Sequence, residues 1–365
     1  MLTKLKIKTM YFVLFGIKNF EKVIVLAKRE KNKQIEALKN RGITVYSISR
    51  LNTFNACQYA YYLSYIQKEK GKQNIYGLAG EAIHDGIELI YQGKEEKSSL
   101  KQRLDDMLTK CDLFNVHFPT ETIKNNWIVD MKHFVNNFSL INKKIITEQF
   151  ILYEIAEEIW VQGYIDALFT GENKTIDIID WKSSSRFTGN KLLEAGRQLL
   201  LYKDAIEKTT NKQIGKIGWY MTKYVYICSK YKNGKTKRKM CSRRKWVKEI
   251  SQELIKKLKK LGNEDFIIEI LIDQAIIKNN LSNMPQKIQD EYWLEDCIVY
   301  YDYDDKKMEE CRNYVIEAVK KIEGKNKDNI NDWKPVEIND KNSFFCKVLC
   351  NHRETCKYLK KYLED

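Results

Sequence analysis

GYIDALFTGENKTIDIIDWKSS, residues 163–184, is the stretch that decides the fold of this chain. Two apolar runs flank the turn-forming residues 171–173, a pattern that predicts a β-hairpin. Asp166 lies on the first predicted strand. Asp180 and Lys182 are two residues apart near the end of the second strand, so their side chains share one face of it.

This grouping of two carboxylates and one ammonium suits a hard divalent cation and a group that orients water. That is the chemistry of phosphodiester hydrolysis. The alternative is a solvated hairpin with ordinary surface charges. Asp180, however, ends an apolar strand, and a carboxylate that is even partly buried requires a partner or a metal ion.

The composition favours a polyanionic partner. The chain has 365 residues, of which 43% are hydrophobic, as in globular proteins. Its 64 Lys and Arg against 49 Asp and Glu give a formal net charge of +15. Such an excess points to nucleic acid, although a lysine bias from an AT-rich genome is an alternative. No apolar run approaches the ~18–20 residues of a membrane span, so no membrane association is predicted.

The beginning of the chain has basic residues and then an apolar run over 10–17, which superficially resembles a signal peptide. Charged residues follow at once without a small-residue cleavage site, so we interpret 11–17 as a strand. Nine cysteines without an export signal predict a reducing compartment, the cytoplasm of a bacterium or of a phage-infected cell. Clustered cysteines are then candidate metal ligands.

The order of predicted elements is helix, helix, three strands, helix, strand, which indicates an α/β fold with a central mixed sheet flanked by helices. Ser49 is predicted to cap a helix that runs to about residue 66. Four units are predicted. Residues 1–42 form an N-terminal β/α unit of unknown role, and residues 43–228 form the core. Residues 229–340 form a basic hairpin with a helical accessory region, and residues 341–365 form a C-terminal cysteine segment that packs back on Cys57.

Two predicted helices carry further candidates. His84 in GLAGEAIHDGIELIY has Glu88 at i+4 on the same face, and a neutral imidazole completes an oxygen-rich site for Mg²⁺ or Mn²⁺; the alternative is a partly buried histidine. Gln198 and Tyr202, also at i and i+4, could hydrogen-bond a sugar-phosphate chain and stack on a base. The alternative is two polar surface residues.

A third cluster lies near the C-terminus in FFCKVLCNHRETCKYL, which carries Cys346, Cys350 and Cys356. Cys57 is the best candidate for a fourth ligand, and His352 is an alternative. Four thiolates suit an iron–sulfur cluster or tetrahedral zinc. Such a clasp would fasten the C-terminal segment to the first core helix, whereas the alternative is free cysteines in a reducing cytosol.

The run KYKNGKTKRKMCSRRK, residues 230–245, has nine basic residues and no acid. It predicts a hairpin that turns near residues 233–234. Its charge could lie along phosphates and add salt-dependent affinity. A solvated, charged hairpin is an equally good interpretation.

Together these motifs resemble the PD-(D/E)XK nuclease superfamily, specifically its RecB-type branch, which includes the AddB nuclease and the CRISPR-associated iron–sulfur exonucleases. The resemblance implies a restriction-endonuclease-like core. It rests on motifs in the family order that cover about half of the chain. They are YSISRLNTFNACQYAYYLSY (46–65), GLAGEAIH (77–84), GYIDAL (163–168), IIDWKSS (178–184), QLLLY (198–202) and the cysteine triplet.

The resemblance also implies roles at the matching positions. His84, Asp166 and Asp180 would hold Mg²⁺ or Mn²⁺, with the Trp181 carbonyl as a backbone ligand. Lys182 would position or activate the attacking water and stabilise charge on the phosphate.

In the same way, the resemblance gives Gln198 and Tyr202 a role in engaging the DNA strand. The cysteines that match the ligands of a [4Fe-4S] cluster are Cys57, Cys346, Cys350 and Cys356. Three residues separate Cys346 from Cys350, where relatives have two, so zinc remains an alternative.

The function that the resemblance implies is a metal-dependent DNA exonuclease for single strands or DNA ends, in recombination, repair or phage DNA processing. A structure-specific endonuclease of the same fold and a non-catalytic DNA-binding protein with iron–sulfur or zinc are the alternatives. The chain has no G-x-x-x-x-G-K-[ST] loop, so any unwinding would require a helicase or recombination protein as a partner. The oligomeric state stays open.

Overall fold

A mixed seven-stranded sheet forms the centre of the protein. The computed structural model describes residues 31–364; the predicted strand over 11–17 lies outside them. The strands are β1 Val45–Tyr46, β2 Ile145–Ala156, β3 Ile159–Thr170, β4 Ile176–Lys182, β5 Ile214–Lys230, β6 Thr236–Ser242 and β7 Tyr292–Tyr300.

Helices flank this sheet and connect its strands. They are α1 (31–40), α2 Ile48–Ala56, α3 Gln58–Tyr61, α4 Ile75–Tyr91, α5 Ser99–Leu113, α6 Glu121–Asn137, α7 Asn190–Thr210, α8 Trp246–Lys260, α9 Asp265–Lys278, α10 Gln286–Gln289, α11 Asp305–Glu323 and α12 Lys357–Glu364. Single π-helical turns span Tyr62–Ile66 and Phe345–Leu349, and 3₁₀ turns span Glu172–Lys174, Arg243–Lys245 and Ile330–Asp332. The predicted α/β class is confirmed.

The sheet order is β1-β3-β4-β5-β6, with β2 on β3 and β7 on β5. β1 runs parallel to β3, and β4 runs parallel to β5, whereas the other pairs are antiparallel. β4 is therefore central, and its apolar run is buried on both faces: Ile178 packs in one core cluster and Ile179 in another. A strand that is covered on both faces needs such a continuous apolar run. Asp180 therefore lies on a buried strand.

The first core helix is shorter than predicted, and Ser49 is not its cap. Ser47 accepts a hydrogen bond from the Arg50 backbone N–H at 3.2 Å, which is the geometry of an N-cap. The helix ends at Ala56 because Cys57 has an extended backbone. The chain then continues through α3 and a π-helical turn, so Cys57 lies at a break between two helices.

The region after residue 228 contributes two strands to the sheet. β5 runs across the predicted boundary at 228/229, β6 ends at Ser242, and β7 lies in a segment that was predicted to be mostly helical. The predicted turn is present, since Gly234 has a φ of +79°. The division of the chain into four units stays a prediction.

No helix in the described part of the chain, residues 31–364, is long and apolar enough to cross a membrane.

His133 on α6 is expected to make the stability of the protein depend on pH. Burial, and secondly the Arg243 guanidinium, lower the pKa of His133 from 6.5 to about 4. A lowered pKa stabilises the folded state above pH 6.5, and this contribution is lost as the pH falls towards 4. After allowance for partial exposure, the loss is on the order of 2 kcal/mol.

We therefore expect His133→Asn to lose less stability than the unmodified protein between pH 7.5 and pH 4.5. Urea unfolding at both pH values measures the difference. His117→Asn is the matched control because His117 is exposed. An equal acid-induced loss in the His133 and His117 variants would contradict the prediction.

Candidate active site

The hairpin of β3 and β4 places the two predicted catalytic carboxylates side by side. Ala167 pairs with Ile179 in the antiparallel ladder, which puts Asp166 opposite Asp180. Directly opposed residues have Cβ atoms ~5 Å apart. Asp180 is 1% exposed and the Asp166 side chain is 13% exposed, so this pair of acids is largely shielded from solvent.

His84 reaches the same place from α4. Its Nδ1 lies 3.3 Å from Oδ2 of Asp166. Burial, followed by the charge of Lys182, lowers the pKa of His84 to about 4. The imidazole is therefore neutral at physiological pH, which is the form that binds metal ions. Asn74 fixes the start of α4, because its side chain accepts hydrogen bonds from the N–H groups of Tyr76 and Gly77.

The backbone of β4 holds Asp166 in place. The Trp181 N–H donates a hydrogen bond of 2.8 Å to Oδ2 of Asp166. Burial and the neighbouring Asp180 raise the pKa of Asp166 well above its usual range, against the opposing effect of Lys182. A carboxyl group whose pKa is raised in this way gains from a nearby cation. The Trp181 side chain is buried, and its carbonyl stays a predicted ligand.

Lys182 completes the group. Its Nζ lies 2.5 Å from Oδ2 of Asp180 and 3.5 Å from Oε1 of Gln198. Burial alone would lower the pKa of Lys182, but the carboxylates of Asp180 and Asp166 raise it above its usual range. The side chain is therefore an ammonium ion, able to stabilise negative charge.

A second layer fixes Lys182 from behind. The buried Thr222 donates a hydrogen bond from Oγ1 to the Lys182 carbonyl at 3.2 Å. Arg243, also buried, donates from Nε to the Thr222 carbonyl at 2.7 Å and pairs with Asp296 at 3.0 Å. These supports were not predicted, because Thr222 belongs to no motif and Arg243 was grouped with the basic run 230–245. Thr222 meets Lys182, and Arg243 meets Thr222, only in the folded sheet.

Gln198 and Tyr202 are neighbours on α7, as their spacing predicts. Gln198 Nε2 donates to the Tyr202 hydroxyl at 2.9 Å. The Tyr202 ring is 4% exposed and lies against Gly163, where an added Cβ would approach Cε1 of the ring to 2.9 Å. Stacking of Tyr202 on a base does not fit this burial. Tyr202 supports Gln198 instead, and the role of the pair in engaging DNA stays a prediction.

The donors of this group fit a hard divalent cation. Among the described residues 31–364, Oδ1 of the buried Asp180 has no hydrogen-bond partner, and Oδ2 pairs only with the Lys182 ammonium. An unsatisfied buried carboxylate oxygen is costly, and a cation would satisfy it. Within residues 31–364, however, no three His, Cys, Asp or Glu side chains are already arranged around an ion position. His84 and the two acids would therefore have to adjust on binding.

The predicted clasp residues line one pocket; they are Cys57, Cys346, Cys350, Cys356 and His352. Within residues 31–364, no three of them are already arranged around a metal position. Burial, and then the neighbouring thiols, raise the pKa of Cys346 to about 11. Thiols that resist ionisation together become good ligands once a metal supplies positive charge. His352 is a weaker candidate, because its Nε2 is 2.8 Å from the Ser64 hydroxyl.

The cysteine segment also contacts the start of α4. Asn74, which caps that helix, donates from Nδ2 to the Leu349 carbonyl at 2.9 Å. Arg353 donates to the carbonyls of Lys72 and Cys350 at 2.7 and 3.1 Å. The cysteine segment therefore supports the start of the helix that carries His84.

The basic run is largely neutralised by acids from other elements. The buried Arg243 pairs with Asp296, and the half-buried Arg244 pairs with the buried Asp130. Four others pair with glutamates of α8 and β7; they are Lys237, Arg238, Lys239 and Lys245. Of the two interpretations of this run, the charged hairpin therefore fits most of its residues.

Comparison with protein families gives a match that covers more than half of the chain. The family model described as PD-(D/E)XK nuclease superfamily matches residues 45–357. That range contains the hairpin, the helix of His84 and the three clustered cysteines. No curated protein matches the chain.

Proposed function

Because this chain belongs to the PD-(D/E)XK nuclease superfamily, with its restriction-endonuclease-like α/β fold, we propose that it is a metal-dependent DNA exonuclease. Membership supports a phosphodiester-hydrolysing nuclease with DNA as substrate. The exonuclease activity, on single strands or DNA ends in recombination, repair or phage DNA processing, is our proposal. A helicase or recombination protein would supply unwinding.

One observation carries the proposal: an imidazole, two carboxylates and an ammonium group from three elements lie next to one another. His84 contacts Asp166, Asp166 lies opposite Asp180, and Lys182 contacts Asp180. An inactivated nuclease fold kept only for binding DNA would not need all four groups. A purely structural zinc protein would not need any of them.

Each of these residues has its own role in the proposed reaction. His84, Asp166 and Asp180, with the Trp181 carbonyl, would hold the divalent cation, which when bound polarises the phosphate and lowers the pKa of a water molecule. The Lys182 ammonium orients that water and stabilises the charge that develops on the phosphate.

Support for this geometry comes from α7 and from the backbone. Gln198 lies 3.5 Å from the Lys182 Nζ and limits its position, and Tyr202 holds Gln198. The Trp181 N–H holds Asp166 in the orientation that faces His84. Groups that are already held in position increase the reaction rate, because they need not reorganise during the reaction.

End-labelled linear DNA and closed circular DNA distinguish the candidate activities. With Mg²⁺ or Mn²⁺ we expect digestion of linear DNA from its ends, 5′- and 3′-labelled single strands giving the polarity, and intact circles. Chelation of the cation should abolish digestion. Cutting of circles would favour the structure-specific endonuclease, and binding without cutting would favour a non-catalytic protein.

For the four-cysteine cavity we propose an iron–sulfur cluster of the [4Fe-4S] type, with zinc as the alternative. Support comes from the chemistry of four thiols around one cavity. Visible absorbance of anaerobically purified protein separates them, since a cluster is brown and zinc is colourless. Colourless protein with one bound zinc would contradict the cluster.

A further inference from the structure

Helix α9 is apolar on the face that points away from the protein as well as on the face that packs against it. Its inner face buries Ile268, Ile272 and Ala275. On the opposite side, Phe266 and Ile277 are 69% and 83% exposed. A helix that is apolar all round is normally covered on every side. Within residues 31–364, the outer face of α9 therefore lacks its cover.

The exposed side chains form one row along the helix. Phe266, Ile270 and Ile277 are four and seven positions apart, which places them within ~40° of one another around the helix axis. Ile267 widens the row on one side, and it is also exposed. At 1.5 Å per residue the row is ~17 Å long. Apolar residues at this spacing and length match the way in which one helix lies along another.

Acidic side chains border this row. Glu269 and Asp273 lie on the same side of α9 and are exposed. Neither forms an ion pair in the described part of the chain, whereas the neighbouring Asp265 pairs with Lys259. No Lys or Arg occurs between Asp265 and Ile277, although the chain as a whole has a net charge of +15. This face would repel DNA phosphates, so it favours a protein ligand with basic groups.

The size and charge of the row argue against a second copy of this chain as the ligand. A stable interface buries about 800 Å² on each partner, which four side chains on one helix cannot supply. Two copies that packed through α9 would also bring their unpaired acids together, and like charges destabilise an interface. A single helix of another protein, with basic residues beside its apolar face, meets neither objection.

We propose that the outer face of α9 binds an amphipathic helix of another protein. Its apolar side chains would pack on Phe266, Ile270 and Ile277, and its basic side chains would pair with Glu269 and Asp273. α9 packs with α8, β5 and β6 in a core cluster separate from the two that hold β4. Binding at α9 would therefore not require the carboxylate group.

The test uses fluorescence anisotropy of a labelled synthetic peptide of about 18 residues, with leucine at i, i+3, i+4 and i+7 and lysine elsewhere. We expect the full chain to bind this peptide with a micromolar Kd that rises with salt. Phe266→Gln combined with Ile277→Gln should weaken binding at least about 10-fold, because two large apolar contacts are lost. Phe114→Gln is the matched control, since Phe114 is a phenylalanine of similar exposure that follows α5. It should bind the peptide as the unmodified chain does.

The role of charge is tested separately. The same peptide with glutamate in place of lysine should bind at least about 10-fold more weakly, because it meets the acids of α9 with like charge. All substituted side chains are exposed, so we expect unchanged melting temperatures, and a loss of binding then reports the surface itself. Equal affinity of the unmodified chain and the double variant for the lysine peptide, or no binding to the unmodified chain, would overturn the inference.

Two further measurements separate the other possible occupants of this face. Analytical ultracentrifugation should show a monomer, and a dimer that the double substitution dissociates would assign the face to a second copy and overturn the inference. DNA affinity should be the same in the double variant and the unmodified chain. A loss of DNA affinity would assign the face to DNA instead.

Discussion

Lys182→Ala is expected to lower the rate of DNA cleavage by about 10²–10³-fold and to leave DNA binding unchanged. Lys182 Nζ is the charged donor at the carboxylate pair, 2.5 Å from Asp180. Without it, the developing charge on the phosphate loses its only ammonium partner in this group. Asp180→Ala should have an effect of the same size, because it removes a cation ligand.

The measurement is single-turnover cleavage of end-labelled single-stranded DNA at saturating Mg²⁺ or Mn²⁺, with affinity determined separately by filter binding in Ca²⁺. Lys174→Ala is the matched control, because Lys174 is an exposed lysine in the turn of the same hairpin. It should cleave at the wild-type rate. Wild-type cleavage by purified Lys182→Ala or Asp180→Ala protein would show that the assigned site is wrong.

The same substitution has a consequence for stability. Within residues 31–364, Lys182 is the only group that forms an ion pair or hydrogen bond with the Asp180 carboxylate, and Asp180 is 1% exposed. Removal of one partner leaves a buried charge uncompensated, which costs several kcal/mol in comparable pairs. A divalent cation would take over the role of the ammonium group, so cation binding should raise the melting temperature of Lys182→Ala more than that of the unmodified protein.

The central hairpin was predictable because its signals are local. Two apolar runs and a turn between them define β3 and β4, and the period of two along a strand relates Asp180 to Lys182. β7 was not predictable in this way. Its residues YWLEDCIVY (292–300) follow a charged helical region, and they become a strand because β5 offers a partner in the folded sheet. Such long-range pairing overrides local preference.

The site likewise has features that local sequence predicts and features that depend on the fold. The joint presence of His84, Asp166, Asp180 and Lys182 was predicted from motifs, and their contacts agree with it. The burial of Tyr202 was not predicted, because it depends on the close approach of α7 to Gly163.

The ion pairs of the basic run were equally unpredictable from the sequence. Arg238 meets Glu295 from across the sheet, fifty-seven positions away, so a run that looks free in the sequence is partly neutralised in the fold. Likewise, the left-handed backbone of Glu148 has no local signal, since glutamate rarely adopts it. Ion pairs and backbone conformations that depend on tertiary neighbours therefore could not be predicted from the sequence.

Cys346→Ser is expected to abolish binding of the metal or cluster and to release the C-terminal segment. Cys346 is buried and shares its cavity with Cys57, Cys350 and Cys356. A site of four thiolates that loses one ligand holds its metal poorly, and the binding free energy of structural metal sites is also folding free energy, on the order of 10 kcal/mol in small metal-dependent domains. Iron and zinc content, and the rate of limited proteolysis within 341–364, measure both effects.

We also expect Cys346→Ser to reduce nuclease activity, although the cavity is not part of the carboxylate group. The link is Asn74, which caps α4 and at the same time holds the Leu349 carbonyl. Release of the cysteine segment removes that support from the helix that carries His84. Cys111→Ser is the control, since Cys111 is a buried cysteine of α5 outside the cavity. Unchanged metal content and protease resistance in Cys346→Ser would contradict the clasp, and lost metal with full activity would contradict only its connection to His84.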